Sequence, residues 1–322
     1  MGMSIYDRSP VYKIPDTGAG SRSRSKIRFT GLLRLLFISC LISLFIPGCG
    51  PSQDADEAVY NRPLQIRYGF TLTNNTNRLV KNVRFRTFVP IRRTATQKRN
   101  KITASHPFEE LDEGNGGPAL LFTIGDLVPY SSRVVTIRTD LLLANQPVPS
   151  KRAAGDLFLL PEKYMESGHP EIIALAGRLR QRDGSSTARK VFDWVADNIE
   201  YTGYRKNPQG ALYALNNRRG DCTEFTHLFV ALCRANGIPA RGIGGYICRK
   251  NAVLKPVGYH NWAEFYDGRT WRLADPLNRV FMQDQANYIA MIAGRGKPDP
   301  QTRWSPRYQV EGEGVTAVMN VF

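Results

Sequence analysis

GDCTEFTHLFVALCRANGIPAR, residues 220–241, is the stretch on which the fold turns. Phe225, Leu228, Phe229, Leu232 and Cys233 recur at i, i+3, i+4, i+7 and i+8, the spacing of one buried helical face. Asp221 stands before the run and Glu224 follows three residues later, an arrangement close to a capping box. Asn236-Gly237, with Pro239 after it, ends the helix. The spacing predicts a helix from about Cys222 to Asn236, with Cys222 in its first turn and on the inward side. There the helix dipole and the unpaired N–H groups favour a thiolate, and Arg218 and Arg219 add positive potential. A thiol at a helix start, held against a sheet, suits a nucleophile. Cys233, inside the apolar stripe, reads as core.

Working outward, the chain shows two periodicities. After Leu157 the period is helical. Ile172, Ile173, Leu175, Ala176 and Leu179 predict one helix. Val191, Trp194, Val195 and Ile199 predict another, entered through Ser185-Ser186-Thr187. Strands follow the Cys222 helix at Arg241–Cys248, Tyr259–Tyr266 and Thr270–Asp275. Helices followed by a sheet make an α+β domain. Before it the period is two. Ile66, Tyr68, Phe70 and Leu72 alternate with polar or small residues, and Val83, Phe85 and Val89 mark a second strand. Leu120–Ile124 and Val134–Thr139 fit two more, so residues 62–143 read as an antiparallel β-sandwich. Residues 144–156 read as a linker and 157–322 as the catalytic domain. The basic run Arg92-Arg93…Lys98-Arg99…Lys101 is expected to be a solvated loop, with contact to an anionic envelope polymer as the alternative.

A nucleophilic Cys needs a base, and the base needs an orienting group. Four histidines are available. His106 falls in the sandwich and His169 in a loop. His227 lies off the apolar stripe of its helix and is expected at the surface. His260 opens the strand His260-Asn261-Trp262-Ala263-Glu264-Phe265-Tyr266, which runs into Asp267-Gly268, a strong hairpin signal. A two-residue turn there pairs Tyr266 with Arg269 and places His260 opposite Asp275, so Asp275 can orient the imidazole. Trp262, Trp271 and Glu264 read as strand packing around a buried ion pair, with Arg241 as the candidate partner. Tyr201 and Tyr204 are expected to wall the cleft, and the backbone N–H of Cys222 is the better oxyanion donor.

Gly220-Asp221-Cys222-Thr223-Glu224, Leu232 to Arg241, His260-Asn261-Trp262-Ala263-Glu264 and Trp271-Arg272-Leu273-Ala274-Asp275-Pro276 together resemble the transglutaminase-like superfamily. The blocks occur in order over roughly residues 165–285. The resemblance implies a papain-like fold preceded by a β-domain, with Cys222 as nucleophile, His260 as base and Asp275 as orienting acid. It also implies acyl transfer from an amide through a thioester, to an amine or to water. A cysteine peptidase on the same triad is the first alternative, and a non-catalytic peptide- or polymer-binding scaffold is the second. Asn261, where a β-branched or small residue is common, departs from the pattern.

Composition bounds the rest. The chain has 322 residues, enough for two domains at roughly 150 each. At 42% apolar and 22% charged it has the make-up of a chain with real cores, neither wholly disordered nor polytopic in a membrane. Its net charge is +16, of which residues 1–48 carry +5. That segment has a basic, Ser-rich flank followed by a short apolar run, Leu35–Ile46, the layout of an export signal. Ile46-Pro47-Gly48-Cys49 resembles a bacterial lipobox. The expectation is therefore a signal over 1–48, lipid on Cys49 as the membrane partner and a tether over 49–61. The mature protein would face the periplasm, from the outer membrane, or the cell exterior. Cys222, Cys233 and Cys248 then remain, and the odd count leaves room for a deliberately free thiol. No cofactor, metal site or nucleic-acid partner is expected. The expected partner is a protein or peptide amide in the envelope.

Overall fold

Alternation builds the first layer. Strand β1, Arg62–Asn74, buries Leu64, Ile66, Tyr68, Phe70 and Leu72 on one face. It is followed by β2 (Val80–Phe88), β3 (Gln97–Ala104), β4 (Phe108–Asp112), β5 (Pro118–Leu127) and β6 (Ser132–Leu143). The computed structural model describes residues 59–112, 117–150, 154–294 and 307–320, so the expected signal segment and Cys49 lie outside the described residues. Next come α1 (Pro170–Leu179), α2 (Gly184–Asn198), β7 (Glu200–Tyr201), α3 (Ala211–Asn217), β8 (Arg219–Gly220) and α4 (Cys222–Ala235). Strands β9 (Ala240–Ile247), β10 (Ala252–Val253), β11 (Tyr259–Tyr266), β12 (Trp271–Asp275), β13 (Val280–Phe281) and β14 (Tyr288–Ala293) follow. The last two strands are β15 (Tyr308–Glu311) and β16 (Val315–Met319).

The fold is α+β with a sheet-rich N-terminal region. One sandwich sheet runs β10-β1-β6-β3, with β16 also paired to β1, and the other runs β15-β2-β5-β4. Phe70, Phe85 and Phe122 stack through the middle, with centroids 4.9 and 6.0 Å apart. Here the structure corrects the expected span of the catalytic domain. Residues 308–319 do not belong to that domain. They return to the sandwich, where β15 pairs β2 and β16 pairs β1. Their physical role is to cover strand edges that would otherwise be open. Within the expected linker, residues 144–150 are pinned by backbone hydrogen bonds. The N–H groups of Ala144 and Val148 donate to the Thr96 and Ala95 carbonyls at 2.9 and 2.8 Å, and that of Ser150 donates to Arg269 at 2.8 Å.

The basic run is a loop only in part: Arg92 and Arg93 precede strand Gln97–Ala104, which carries Lys98, Arg99 and Lys101. Arg99 is ion-paired to Glu110, which also accepts from Arg92 at 2.9 Å. Burial alone would raise the Glu110 carboxyl, but its two guanidinium partners win and hold it below the usual carboxylate value.

The second layer is the sheet β13-β12-β11-β9-β14, with α4 packed on one face. Ala240, Ala263, Phe265 and Ala274 meet Phe225, Leu228 and Phe229 there, while α1, α2 and α3 enclose the rest of α4. On the other face Trp262 packs with Ile243, Leu273 and Tyr288. The expected ion pair is present: Arg241 donates to Glu264 Oε2 from Nε at 2.9 Å and from a terminal nitrogen at 2.6 Å. The Arg241 guanidinium also lies 4.1 Å from the centre of the Trp271 ring. Because Glu264 is almost wholly buried, its removal strands the arginine. Glu264→Ala should therefore cost about 3–5 kcal/mol in urea unfolding. A loss below about 1 kcal/mol would show that the pair is not a structural element.

Candidate active site

The start of α4 is built by its own cap. The Thr223 N–H donates to Asp221 Oδ1 at 2.7 Å, and the Asp221 N–H donates to Glu224 Oε2 at 3.0 Å. The capping box read from the sequence is thus formed. Both carboxylates also hold the segment before α3. Asp221 Oδ2 accepts from the Arg205 N–H and Glu224 Oε1 from the Gln209 N–H, each at 2.8 Å. Burial pushes the Glu224 carboxyl above its usual value, against the pull of those amides, and the charge of Asp221 acts in the same direction as burial. These two acids are therefore structural. Cys222 sits half-buried in the first turn, as expected.

His260 and Asp275 do meet, though not by the expected register. The ladder pairs Tyr266 with Trp271 and Glu264 with Leu273, two residues away from a pairing of Tyr266 with Arg269. Asp267 is the first corner of the turn, not a central residue. Its Oδ1 accepts from the N–H groups of both Arg269 and Thr270 at 2.8 Å. His260 is therefore diagonal to Asp275 and not opposite it. A shift of two keeps both side chains on one face, and His260 Nε2 lies 2.7 Å from Asp275 Oδ2. The Cys222 thiol lies near enough to the same imidazole to help raise its pKa. The structure thus brings the three residues together.

Two further residues escaped the sequence reading. Asn278 Nδ2 donates to Asp275 Oδ2 at 2.7 Å and the Tyr288 hydroxyl donates to it at 2.9 Å, while the Asn278 N–H reaches Oδ1 at 3.3 Å. Asp275 is 1% exposed, so these donors supply the solvation that water cannot. Asn278, in Asp275-Pro276-Leu277-Asn278, carried a faint turn signal. Tyr288 carried none. Asn261 Nδ2 donates to Thr223 Oγ1 at 3.0 Å, tying the base's strand to the helix start.

The other candidates are elsewhere. His227 is not at the surface. It is 1% exposed and stacked on Tyr164 with centroids 5.9 Å apart. Burial lowers its pKa to about 4, against the charge of Asp221. Cys233 is buried in the helix core, and burial pushes its thiol far up. Burial pushes Cys248 up to about 11. Neither forms a disulfide. His106 contacts Ser105, and His169 caps α1. Tyr201 and Tyr204 are exposed on the segment held by Asp221 and Glu224. Among the described residues no group of His, Cys, Asp or Glu is placed to hold a metal.

Burial would lower the His260 pKa, but hydrogen bonds to Asp275 and Cys222 and the charge of Asp275 raise it to about 9. Its unfolded value is about 6.5. A raised folded pKa stabilises the fold fully below about pH 6.5, and that contribution is lost as pH rises through about 9. Unfolding free energy should therefore fall by up to about 3 kcal/mol more in the wild type than in His260→Ala between pH 6.5 and 9.5. Parallel pH profiles for the two proteins would contradict this linkage.

Residues 173–276 match the profile of the family described as Transglutaminase-like superfamily. An uncharacterized Mycobacterium leprae protein is 33% identical over 111 residues, which are 33% of this chain and 39% of that protein. The chain therefore spans well under half of that relative. Among solved structures, a candidate cysteine protease from Cytophaga hutchinsonii has the same fold. Its TM-score is 0.53 at 22% identity, covering 81% of this chain and 90% of that one. The periplasmic domain of TgpA from Pseudomonas aeruginosa aligns at 16% identity with a TM-score of 0.34, covering 70% of this chain and 94% of that one. Among the described residues, no helix is long and apolar enough to cross a membrane.

Proposed function

We propose that this chain is a cysteine-dependent acyl-transfer enzyme acting on amide bonds of proteins or peptides in the cell envelope. The observation that carries the reading is a single contact. A buried carboxylate, Asp275, lies 2.7 Å from the imidazole of His260, whose pKa is in turn raised by the nearby thiol of Cys222 at a helix N-terminus. A binding scaffold has no chemical need for all three groups together.

In the proposed reaction Cys222 gives its thiol proton to His260, and its sulfur attacks the amide carbonyl carbon. The developing oxyanion takes a hydrogen bond from the Cys222 backbone N–H at the first turn of α4. His260 gives its proton to the leaving amine as the C–N bond breaks, leaving a thioester on Cys222. An incoming amine, or water, then attacks the thioester and gives its proton to His260, and the C–S bond breaks to release the acyl product and the Cys222 thiolate. Asp275 holds the ring in one orientation throughout. With an amine the outcome is transfer, and with water it is hydrolysis. The peptidase reading differs only in which amide enters.

Cys222→Ala and His260→Ala should abolish turnover of any amide substrate found by offering a dansylated amine with envelope proteins, or a peptide library. Asp275→Asn should keep a residue of activity, down by about 100- to 10,000-fold, because orientation is lost and not the nucleophile. Wild-type turnover in Cys222→Ala would end this mechanism.

The proposed location rests on the sequence: cleavage before Cys49, lipid on its thiol, and a protein held at the outer membrane facing the periplasm, or at the cell exterior. Two acyl chains hold stably where one is marginal. Cys49→Ser should release the protein from membranes, or block its processing, while Cys222 still reacts with iodoacetamide. A processed Cys49→Ser protein that stays on membranes through a high-salt wash would refute lipid anchoring.

A further inference from the structure

Tyr213, on α3, holds two guanidinium groups at once. The Arg205 guanidinium lies 5.6 Å from the centre of its ring, and Arg219 Nε donates to its hydroxyl at 3.3 Å. Among the described residues neither arginine forms an ion pair. Glu200 faces Arg219 across the short β7–β8 ladder without pairing to it. Two like charges gathered on one tyrosine, with no carboxylate bonded to either guanidinium, repel each other. The arrangement becomes favourable when an anion enters between them.

The pair is tied to the helix start that carries the nucleophile. Arg219 is three residues before Cys222, and the Arg205 backbone is bonded to Asp221, the residue before Cys222. Of the nearby acids Glu200 is exposed, whereas Asp221, Glu224 and Asp275 are turned inward. Asp221 and Glu224 accept backbone N–H groups, and Asp275 accepts from His260, Asn278 and Tyr288. Lys206, next to Arg205, is exposed. The segment bonded to the start of α4 therefore carries three cations, Arg205, Lys206 and Arg219, against the one exposed acid Glu200. A guanidinium fork matches a carboxylate in two parallel hydrogen bonds, which an amide or hydroxyl does not supply.

We propose that Arg205 and Arg219 form a carboxylate-binding subsite beside Cys222, so that the substrate is an acidic peptide with an Asp or Glu side chain flanking the reacting amide. This rests on the cysteine-enzyme reading above and adds a substrate class to it.

Two small alkylating reagents test it without a known substrate. Iodoacetate and iodoacetamide attack the same thiol, but only iodoacetate is an anion. The ratio of their rates at Cys222 should be high at low salt and fall as salt rises. In the double variant Arg205→Gln, Arg219→Gln the ratio should drop about tenfold. The double variant Arg205→Lys, Arg219→Lys keeps the charge and should restore most of it, which separates lost charge from a disturbed fold. The peptide amide Glu-Gln-Glu should protect wild-type Cys222 from iodoacetamide at lower concentration than Ala-Gln-Ala. That difference should shrink in the glutamine variant. A ratio indifferent to the glutamine variant, with equal protection by the two peptides, overturns the subsite and leaves the enzyme reading standing. A Cys222 inert to both reagents overturns the enzyme reading and the subsite with it.

Discussion

A buried carboxylate at the third position of α4 organises this molecule. Glu224 is fully enclosed, so its oxygens must be satisfied from the protein, and they are, by the N–H groups of Asp221 and Gln209. The first bond seats the helix start and fixes where Cys222 stands. The second draws the segment before α3 against it. Gly220 belongs to the same device, since a Cβ there would lie 2.3 Å from the Cβ of Glu224. The space is reserved for the acid, so a side chain at Gly220 would displace both bonds. One charge, buried and paired with amides, therefore sets both the nucleophile and the wall that carries Arg205.

The features legible in the sequence were those whose partners are close along the chain. The apolar stripe of α4, its capping box and its Gly stop were each read from a few neighbouring residues. The hairpin shows how far such reading goes. Asp267-Gly268 was rightly taken as a turn, but Asp267 uses its carboxylate on the amides of Arg269 and Thr270, and so becomes the first corner. The register moved by two. Side chains alternate with period two, so an even error leaves every residue on its face. His260 and Asp275 stayed together for that reason. An error of one would have sent them to opposite sides of the sheet.

What the sequence hid was set by contacts distant along the chain. His227 looked like a surface residue because α4 was taken to have one apolar face. In fact every residue from Glu224 to Arg234 is buried, because the sheet covers one side and α1, α2 and α3 cover the others. A helix enclosed all round loses the polar stripe by which amphipathicity is read. Its polar residues then need individual partners. His227 stacks on Tyr164, and Arg234 donates to the carbonyls of Ala240 and Leu160 and to Glu162. The C-terminal strands were hidden in the same way. Tyr308–Glu311 and Val315–Met319 are short, and only the edges of β2 and β1 turn them into strands.

Strand β14 joins the two layers chemically as well as mechanically. Tyr288 and Ala290 point to the face where Trp262 packs, whereas Ile289, Met291 and Ile292 enter the core of the sandwich. Alternation gives one strand two duties. A bulge between Ala290 and Ile292 changes the phase so that successive residues reach the sandwich. The hydroxyl that Tyr288 directs at Asp275 is thus held from behind by the packing of a different layer. Tyr246 and Cys248, on and just after β9, sit in the same sandwich core. The N-terminal region therefore does more than precede the candidate site. Its apolar core is the surface against which the strand of the orienting acid's own hydrogen-bond donor is clamped. Disturbing that core should therefore reach His260 through Tyr288 and Asp275.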